Sequence, residues 1–435
     1  MPSEGTANPA GQGQPRPGLL ANISWLSVAN AIVKPLWFLF ITAACMRLLG
    51  VREFGVLTAA LSLTMIAAGF VDLGMAQYTV REVSRALDKA SLYFSNFMTL
   101  RIGNSVLAWG GALIVAVLLD YRGSALLAVC FAGIYALTLN LTNYCRSMYQ
   151  AFENLRQEAV MLIVEKVLVI GGGLLLLFAT RSAAWTLAGM ALGMTVTTGI
   201  NILCIDRRFA KMRRSLVSRR FLKRAIKVMI PFGFAGLFTV MYYRVDMVMI
   251  EAILGAVPTG QYGAAYRILE AFHTLPAIVG LAAIYPRLAR LHRDRAHADF
   301  RHLLRNGLLG LISISIVVSL LLTILSDTVI WLLDPDPSYA LAADALRILV
   351  WTFPFICGKT LLYLALISMD QQRLAAITLG FAVLFNVAFN TFMIPAMGIE
   401  GAAIATVLTE VLLTVIFAAY YRRTGFISTE PQSSE

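Results

Sequence analysis

The sequence predicts an all-α, multi-pass membrane protein of about twelve transmembrane helices. Three observations carry this prediction. Hydrophobic residues make up 59% of the chain and charged residues only 14%, an apolar excess that a soluble domain does not need. Six uncharged runs reach eighteen residues or more. The basic residues are concentrated in alternate connections between the apolar spans.

Twelve apolar spans follow one another along the chain. Six contain no charge, namely 54–71, 102–119, 123–145, 182–205, 306–326 and 374–399. Six more carry one to four charges each, namely 20–49, 157–180, 225–254, 259–286, 339–368 and 399–421. About 20 helical residues cross a hydrocarbon core of roughly 30 Å. A helix also satisfies its own backbone hydrogen bonds in lipid, so the spans are predicted to be helices without lipid-exposed strands.

The charge distribution predicts the orientation. Of the 36 Lys and Arg residues, twenty-five lie in alternate connections or the tails, four in the other connections and seven inside spans. The positive-inside rule then places both termini in the cytoplasm. The membrane itself is expected to be a bacterial cytoplasmic (inner) membrane. The net charge of +12 is attributed to contact with anionic lipid headgroups and not to binding of nucleic acid.

Several other classes of site are excluded. The five cysteines show no CxxC spacing and predict neither a disulfide framework nor a metal site. His292, His297 and His302 are five residues apart, about 140° around a helix, which disfavours a shared metal. The connections on the non-basic side are too short for an external catalytic domain. We therefore expect no enzyme activity, no metal and no cofactor, with proton or sodium coupling as an open option.

The chain divides into two similar halves. A basic cytoplasmic linker (206–224) separates an N-terminal lobe (19–205) from a C-terminal lobe (225–421), and the segments 1–18 and 422–435 read as disordered cytoplasmic tails without a cleaved signal peptide. LLGVREFGVLTAAL (48–61) aligns without gaps to ILGAVPTGQYGAAY (253–266). The aligned turns have the same position in each half, which indicates parallel repeats with a binding site between them near the midplane.

These motifs resemble a known family. The turn RLLGVREFG, the DLG followed by RE at 81–82, the stretch YYRVDMVMI…LGAVPTGQYGAAYRI and the stretch NVAFNTFMIPAMGIEGAAIAT are similar to the polysaccharide transporter, or O-antigen flippase, family. That family belongs to the multidrug/oligosaccharidyl-lipid/polysaccharide exporter superfamily. The resemblance implies two six-helix lobes around a V-shaped central cavity. It also implies translocation of an undecaprenyl-diphosphate-linked oligosaccharide from the inner to the outer leaflet for surface polysaccharide biosynthesis.

Charged residues inside spans are the candidate site residues, because a charge in the bilayer is costly and usually faces a cavity or a partner. Lys and Arg can replace the hydration of a diphosphate. We therefore predict a cationic, substrate-binding cavity. Its candidate residues are Lys34, Arg101, Arg244, Arg267 and Lys359. The alternative is that each cation pairs with an acid, as Arg267 could with Glu270 or Arg244 with Asp246.

Carboxylates and amides inside spans supply the remaining candidates. Glu410, Glu270 and Asp72 could couple proton movement to conformational change, or could form interhelical ion pairs. Asn386 and Asn390 lie four residues apart on one face of a span. They could form a polar cavity wall that contacts sugar hydroxyls, or hydrogen-bond between helices.

Two other functions remain as alternatives. A multidrug/cation antiporter of the same fold would need carboxylates facing its substrate, whereas the unpaired mid-span charges here are mainly Lys and Arg. A membrane glycan polymerase would need a sizeable outer loop or an acidic pair. The expected partners of a flippase are the lipid-linked glycan, membrane lipids, and cytoplasmic glycosyltransferases, a polymerase or a chain-length regulator.

Overall fold

The computed structural model describes residues 19–369 and 371–423, and these residues are almost entirely helical, without a β-strand among them. The predicted all-α class is confirmed. The α-helices in the described part of the chain are α1 (Leu19–Phe38), α2 (Cys45–Asp72), α3 (Met75–Arg85), α4 (Ala90–Leu118), α5 (Ser124–Ala151), α6 (Leu155–Thr180), α7 (Ala183–Arg208), α8 (Arg219–Leu254), α9 (Ala256–Val279), α10 (Tyr285–Arg293), α11 (His297–Leu333), α12 (Ala340–Leu349), α13 (Thr352–Ser368) and α14 (Gln372–Arg423).

Two helices loosen into π-helix just after a proline. Pro35 in α1 precedes the π segment Leu39–Ala44, and Pro276 in α9 precedes the π segment Gly280–Ile284. Proline lacks an amide hydrogen and its ring crowds the carbonyl four residues earlier. The missing hydrogen bond explains why the helix widens there instead of ending. The π segments join α1 to α2 and α9 to α10 into longer spans.

Length and hydropathy alone identify seven membrane-crossing helices in the described residues, or eight if the bent pair α12 and α13 is one span. Two of the seven are 59 and 47 residues long. At 1.5 Å per residue each is long enough to cross a hydrocarbon core of about 30 Å twice. Backbone breaks at Gly50 and Gly398 divide them. Each of the two long helices counts as two spans and the bent pair counts as one. With the charged helices α8 and α9 added, the described helices account for the twelve predicted spans.

Three glycines form the sharp turns between paired spans. Gly50, Gly255 and Gly398 have φ of 71°, 87° and 61°, a backbone region that residues with a Cβ rarely adopt. Gly50 and Gly255 are the pair aligned in the predicted repeat. The two halves therefore use the same turn at the same place, and Gly398 provides a further example.

The two lobes contact each other through a reciprocal pair of glycines. A Cβ at Gly55 would overlap the carbonyl oxygen of Ala256, and a Cβ at Gly260 would overlap that of Val51. In the repeat alignment Gly55 corresponds to Gly260, and Val51 to Ala256. A two-fold contact has this form, since each partner presents the same surface. The pseudo-two-fold axis of the repeats therefore passes between α2 and α9.

The glycine contact lies on what we call the closed face, the face that carries the Gly50 and Gly255 turns. There the buried ring of Phe54 packs edge-on against that of Tyr339, with centroids 6.5 Å apart. Arg47 donates hydrogen bonds of 2.6 and 2.7 Å to the carbonyls of Leu333 and Leu332 at the end of α11. Charge-assisted bonds to the last carbonyls of a helix are favourable, so Arg47 joins one lobe to the other.

The opposite face carries the basic connections, and we call it the basic face. One apolar core extends through both lobes near the closed face and includes Phe54, Leu57, Tyr262 and Leu346. Towards the basic face two smaller clusters follow. One includes Phe97 and Met148 together with Met229 of α8, and the other includes Leu288 and Phe300. Helix α8 therefore also packs on the N-terminal lobe near this face.

The predicted basic linker includes the ends of two helices. Helix α7 continues to Arg208 and α8 begins at Arg219, with Ser218 capping it by accepting a hydrogen bond from the Phe221 amide. Helical structure thus occupies both ends of the predicted linker 206–224. The predicted tail 1–18 and most of the tail 422–435 lie outside the described residues.

Candidate functional site

An arginine–glutamate triad lies on the first two helices of the C-terminal half. Glu270 of α9 accepts from Arg244 of α8 at 2.9 Å and from Arg267 at 2.7 Å. Arg267 and Glu270 are three residues apart on one helix face. Glu270 retains 39% of its side-chain exposure and Arg244 retains 22%. This C-terminal triad carries two positive charges and one negative charge, and it is open to solvent.

A matching triad lies in the N-terminal half. Glu165 of α6 is ion-paired with Arg146 of α5 and, at 2.9 Å, with the Nζ of Lys166. Glu165 is buried, whereas Arg146 and Lys166 are 20% and 16% exposed. The ammonium of Lys166 also lies 4.5 Å from the ring centroid of Trp37 on α1, a cation–π distance. This N-terminal triad again has two cations for one carboxylate.

Both triads interact electrostatically with the same tyrosine. Tyr135 of α5 is buried, and its hydroxyl interacts electrostatically with Arg146 and Glu165 of the N-terminal triad. It also interacts with Arg244 and Arg267 of the C-terminal triad. Charges in a low-dielectric interior are screened less than in water, so both triads act on the same hydroxyl. Together they contribute four cations and two carboxylates, an excess of two positive charges.

Lys34 of α1 has an exposed side chain, without an ion pair among the described residues. It lies three residues before Trp37, about one helical turn, and Trp37 is the ring that Lys166 covers. Helix α1 packs on α6 through the buried residues Ala29 and Val33. Lys34 is therefore one helical turn from the ring that the N-terminal triad contacts, and its exposed ammonium can interact with a bound anion.

Arg101 of α4 is almost wholly buried and paired. It forms a salt bridge with Asp72 of α2 and donates to the Asn140 carbonyl at 2.7 Å. Its guanidinium lies 4.8 Å from the Tyr144 ring centroid, within cation–π range. Asp72 stays 34% exposed. Arg101 thus orients and neutralises Asp72, and in this conformation it is not an exposed cation of an open cavity.

Lys359, which was predicted to line the cationic cavity, is buried and ion-paired in this conformation. Its ammonium is buried and lies 2.8 Å from Glu410, a residue 51 positions away on α14. Tyr242 donates to the same carboxylate oxygen at 2.7 Å. Lys359 has no acid close to it in the sequence. Its partner comes from a neighbouring helix and could be identified only from the packing. Glu410 is correspondingly an interhelical ion-pair partner, the second of the two predicted roles.

Asn386 and Asn390 are buried inside the C-terminal lobe and do not form an open cavity wall. Asn390 donates to Asp246 at 2.7 Å and to the Asn386 carbonyl oxygen at 3.0 Å. Asp246 also accepts from Thr406 at 2.8 Å and from Tyr262 at 3.1 Å. The amides therefore make the interhelical hydrogen bonds that were the alternative prediction.

The environment of Asp246 differs from that of the predicted coupling residues. Glu410, Glu270 and Asp72 each pair with a cation, whereas no salt bridge to Asp246 occurs within the described chain. Arg244, two residues away, pairs with Glu270 instead. The Oδ1 atom of Asn390 is buried beside Asp246 without a hydrogen-bond partner in the described residues. A carboxylate among hydroxyl and amide oxygens suits a proton or a hard monovalent cation.

The predicted site residues do not include the N-terminal triad. Arg146 directly follows the apolar span 123–145, yet α5 continues to Ala151 and carries Arg146 inside the lobe. Glu165 and Lys166 interrupt the span 157–180, and this interruption is the signal that the sequence offers. Arg347, another basic residue inside a span, pairs with Asp344 at 2.6 Å and with Asp327. A cluster of three or more His, Cys, Asp or Glu residues able to hold a metal is absent from the described ranges.

Comparisons with known proteins agree with this architecture. Residues 19–292 match the family described as "Polysaccharide biosynthesis protein", and residues 231–392 match the MatE family. The chain is 24% identical over 417 residues to the probable low-salt glycan biosynthesis flippase Agl15 of Haloferax volcanii. That alignment covers 94% of this chain and 84% of the relative.

Solved structures share the fold at low sequence identity. The lipid II flippase MurJ in an inward closed conformation has a TM-score of 0.74 at 14% identity, over 93% of this chain and 89% of that chain. An inward-facing multidrug resistance MATE transporter of the MOP superfamily has a TM-score of 0.72 at 14% identity, over 94% and 100%. The twelve-span, two-lobe fold is thereby confirmed. Because the family match covers more than half of the residues, the chain belongs to the polysaccharide biosynthesis protein family.

Proposed function

We propose that the protein is a flippase that moves a polyprenyl-diphosphate-linked oligosaccharide, with undecaprenyl as the expected lipid, across the bacterial cytoplasmic membrane. The observation that carries the proposal is the pair of triads around Tyr135, which together hold an excess of two positive charges. A diphosphate carries negative charge that must leave water to cross the midplane. Fixed guanidinium and ammonium groups can replace its hydration.

The arrangement of the lobes supports alternating access. They are joined at the closed face by the Gly55 and Gly260 contact and by Arg47, and the pseudo-two-fold axis passes through this contact. The positive-inside rule predicts that the basic face lies in the cytoplasm, the side on which lipid-linked glycans are assembled. Rocking the lobes about the axis between α2 and α9 would then expose the substrate on the other side.

The proposed transport step makes and breaks no covalent bond. Each lobe contributes one triad, so a diphosphate between them touches both lobes at once. Its binding can therefore favour a state in which the lobes are drawn together, because a ligand shifts a conformational equilibrium only by its differential affinity. Coupling to a proton or sodium gradient is part of the proposal, and Asp246 is its best candidate because its donors are neutral.

A multidrug antiporter is the second candidate, favoured by the MatE match over residues 231–392. A cationic drug would be repelled by the surplus positive charge of the two triads. The same fold can serve both functions, so the test must compare substrates directly. Cells lacking the gene should accumulate lipid-linked oligosaccharide on the cytoplasmic leaflet without becoming sensitive to cationic drugs. Drug sensitivity with normal glycan export would reverse the assignment.

A further inference from the structure

A cavity of about 220 Å³ lies between the lobes, separate from the two triads. Helix α2 contributes Gly69 and Asp72, α5 contributes Asn140 and Asn143, and α8 forms the remaining wall. Gln77 of α3 also lines it. Since a water molecule occupies about 30 Å³ in the liquid, the cavity has the volume of about seven waters. That is space for one sugar ring.

The polar groups of the cavity are only partly used by other hydrogen bonds, and Asn140 donates its side-chain amide to the Ala136 carbonyl at 3.1 Å. Gln77 is exposed and makes no side-chain hydrogen bond within the described chain. The Oδ1 atom of Asp72 accepts from Arg101 and from the Ala76 amide, which leaves Oδ2 open. Asn143 uses only its carbonyl oxygen, which accepts from Arg146 at 3.2 Å. Amides and a carboxylate oxygen therefore present both donors and acceptors to the cavity.

The cavity is close to electrically neutral. Asp72 is the acid that lines it, and the buried guanidinium of Arg101 balances that charge. An ionic ligand would gain little here, whereas a hydroxyl group can both donate and accept a hydrogen bond. The other lining groups are apolar, such as Met65, Leu139 and Val240. A mixed wall of this kind suits the polar rim and the apolar face of a sugar ring.

One contact links this cavity to the diphosphate site. Asn143 lines the cavity and also bonds Arg146 of the N-terminal triad. A group held in the cavity would therefore lie beside a phosphate held by that triad. On the other side, Gly233 of α8 allows the C-terminal lobe to approach, because a Cβ there would crowd the backbone of Leu73. The cavity exists only while α8 lies against α2.

We propose that this cavity binds the first sugar of the lipid-linked glycan, the ring attached directly to the diphosphate. The inference rests on the proposed flippase function and adds a neutral polyol subsite next to the charged one. Because both lobes form its walls, the sugar subsite is complete in the present conformation and is dismantled when the lobes move apart. Selection for the first sugar would thus occur before translocation.

The test measures binding of defined lipids to the full-length protein in nanodiscs. The probes are undecaprenyl diphosphate and the same lipid carrying a single glucose, galactose or N-acetylglucosamine. We expect at least one sugar-bearing lipid to bind fivefold or more tightly than the bare diphosphate. Gly236→Leu should remove this difference and keep the affinity for the bare lipid within about twofold, because no atom lies within 4 Å of a Cβ there and the side chain would fill the cavity.

Two variants complete the design. Gly310→Leu on α11 is the matched control, since a Cβ there also meets no atom within 4 Å and the site is outside the cavity; it should behave as the wild type. Gln77→Leu should reduce the sugar-dependent gain without filling the space. Equal affinity of the wild type for all four lipids, or an undiminished sugar gain in Gly236→Leu, would overturn the sugar subsite and leave the flippase function intact. Failure of every lipid to bind would instead refute the proposed function.

Discussion

The buried Lys359–Glu410 pair allows a structural role to be separated from a substrate-binding role. Glu410 is 1% exposed, and one of its oxygens accepts from both Lys359 and Tyr242. Its other oxygen is buried without a partner in the described residues. Removing one member of a buried ion pair costs about 3–5 kcal/mol, because the remaining charge is uncompensated. Lys359→Met should therefore destabilise the protein by roughly this amount.

The double variant is the informative comparison. Lys359→Met combined with Glu410→Gln leaves no buried charge, and the Tyr242 hydroxyl can still donate to the new amide oxygen. Replacing both members of a buried pair is often neutral, so we expect the double variant to regain most of the stability. Thermal unfolding in detergent would measure this, with glycan translocation measured in parallel. A double variant that unfolds normally but no longer transports would refute the structural assignment and return Lys359 to the substrate site.

Three further outcomes follow from the packing and the charges. Gly55→Val should force α2 and α9 apart at the closed face, and it should raise labelling of the buried Cys45 by a membrane-impermeant maleimide. Arg47→Gln removes a charged cap on α11 worth about 1 kcal/mol and should raise the labelling of Cys45 by a smaller factor. Unchanged labelling in both variants would show that the closed face is not a gate. Asp246→Asn keeps the shape of a buried group whose donors are neutral, so the fold should survive while the sodium or pH dependence of transport is lost. A normal ion response in that variant would exclude Asp246 from coupling.

The membrane spans and the turns between them could be predicted from the sequence because they depend on local properties. Hydropathy over a window of about twenty residues locates a membrane helix wherever its neighbours lie. The repeat alignment placed Gly50 on Gly255, and both adopt positive φ for the same local reason. The alignment of Gly55 with Gly260 could not reveal that each receives the other repeat's backbone, because that contact depends on how the halves are docked.

The ion pairs could be predicted from the sequence only in part. Arg267 and Glu270 are one turn apart, so their contact was an expected alternative. Lys359 and Glu410 belong to helices whose contact is set by tertiary packing, and Asp246 bonds Asn390 across 144 positions. In the low-dielectric interior each buried charge takes the best available partner. Sequence spacing cannot supply that partner when it lies on another helix.

We infer that the two triads carry a diphosphate across the membrane, and translocation by purified protein in liposomes is the most direct test of this role. The measured quantity is the rate at which undecaprenyl-diphosphate-linked oligosaccharide becomes accessible on the opposite leaflet. Neutralising one triad with Arg244→Gln and Arg267→Gln should lower that rate at least tenfold, while Arg244→Lys with Arg267→Lys should retain a substantial part of it. A neutralised protein that is folded and transports at the wild-type rate would contradict a role of the C-terminal triad in transport.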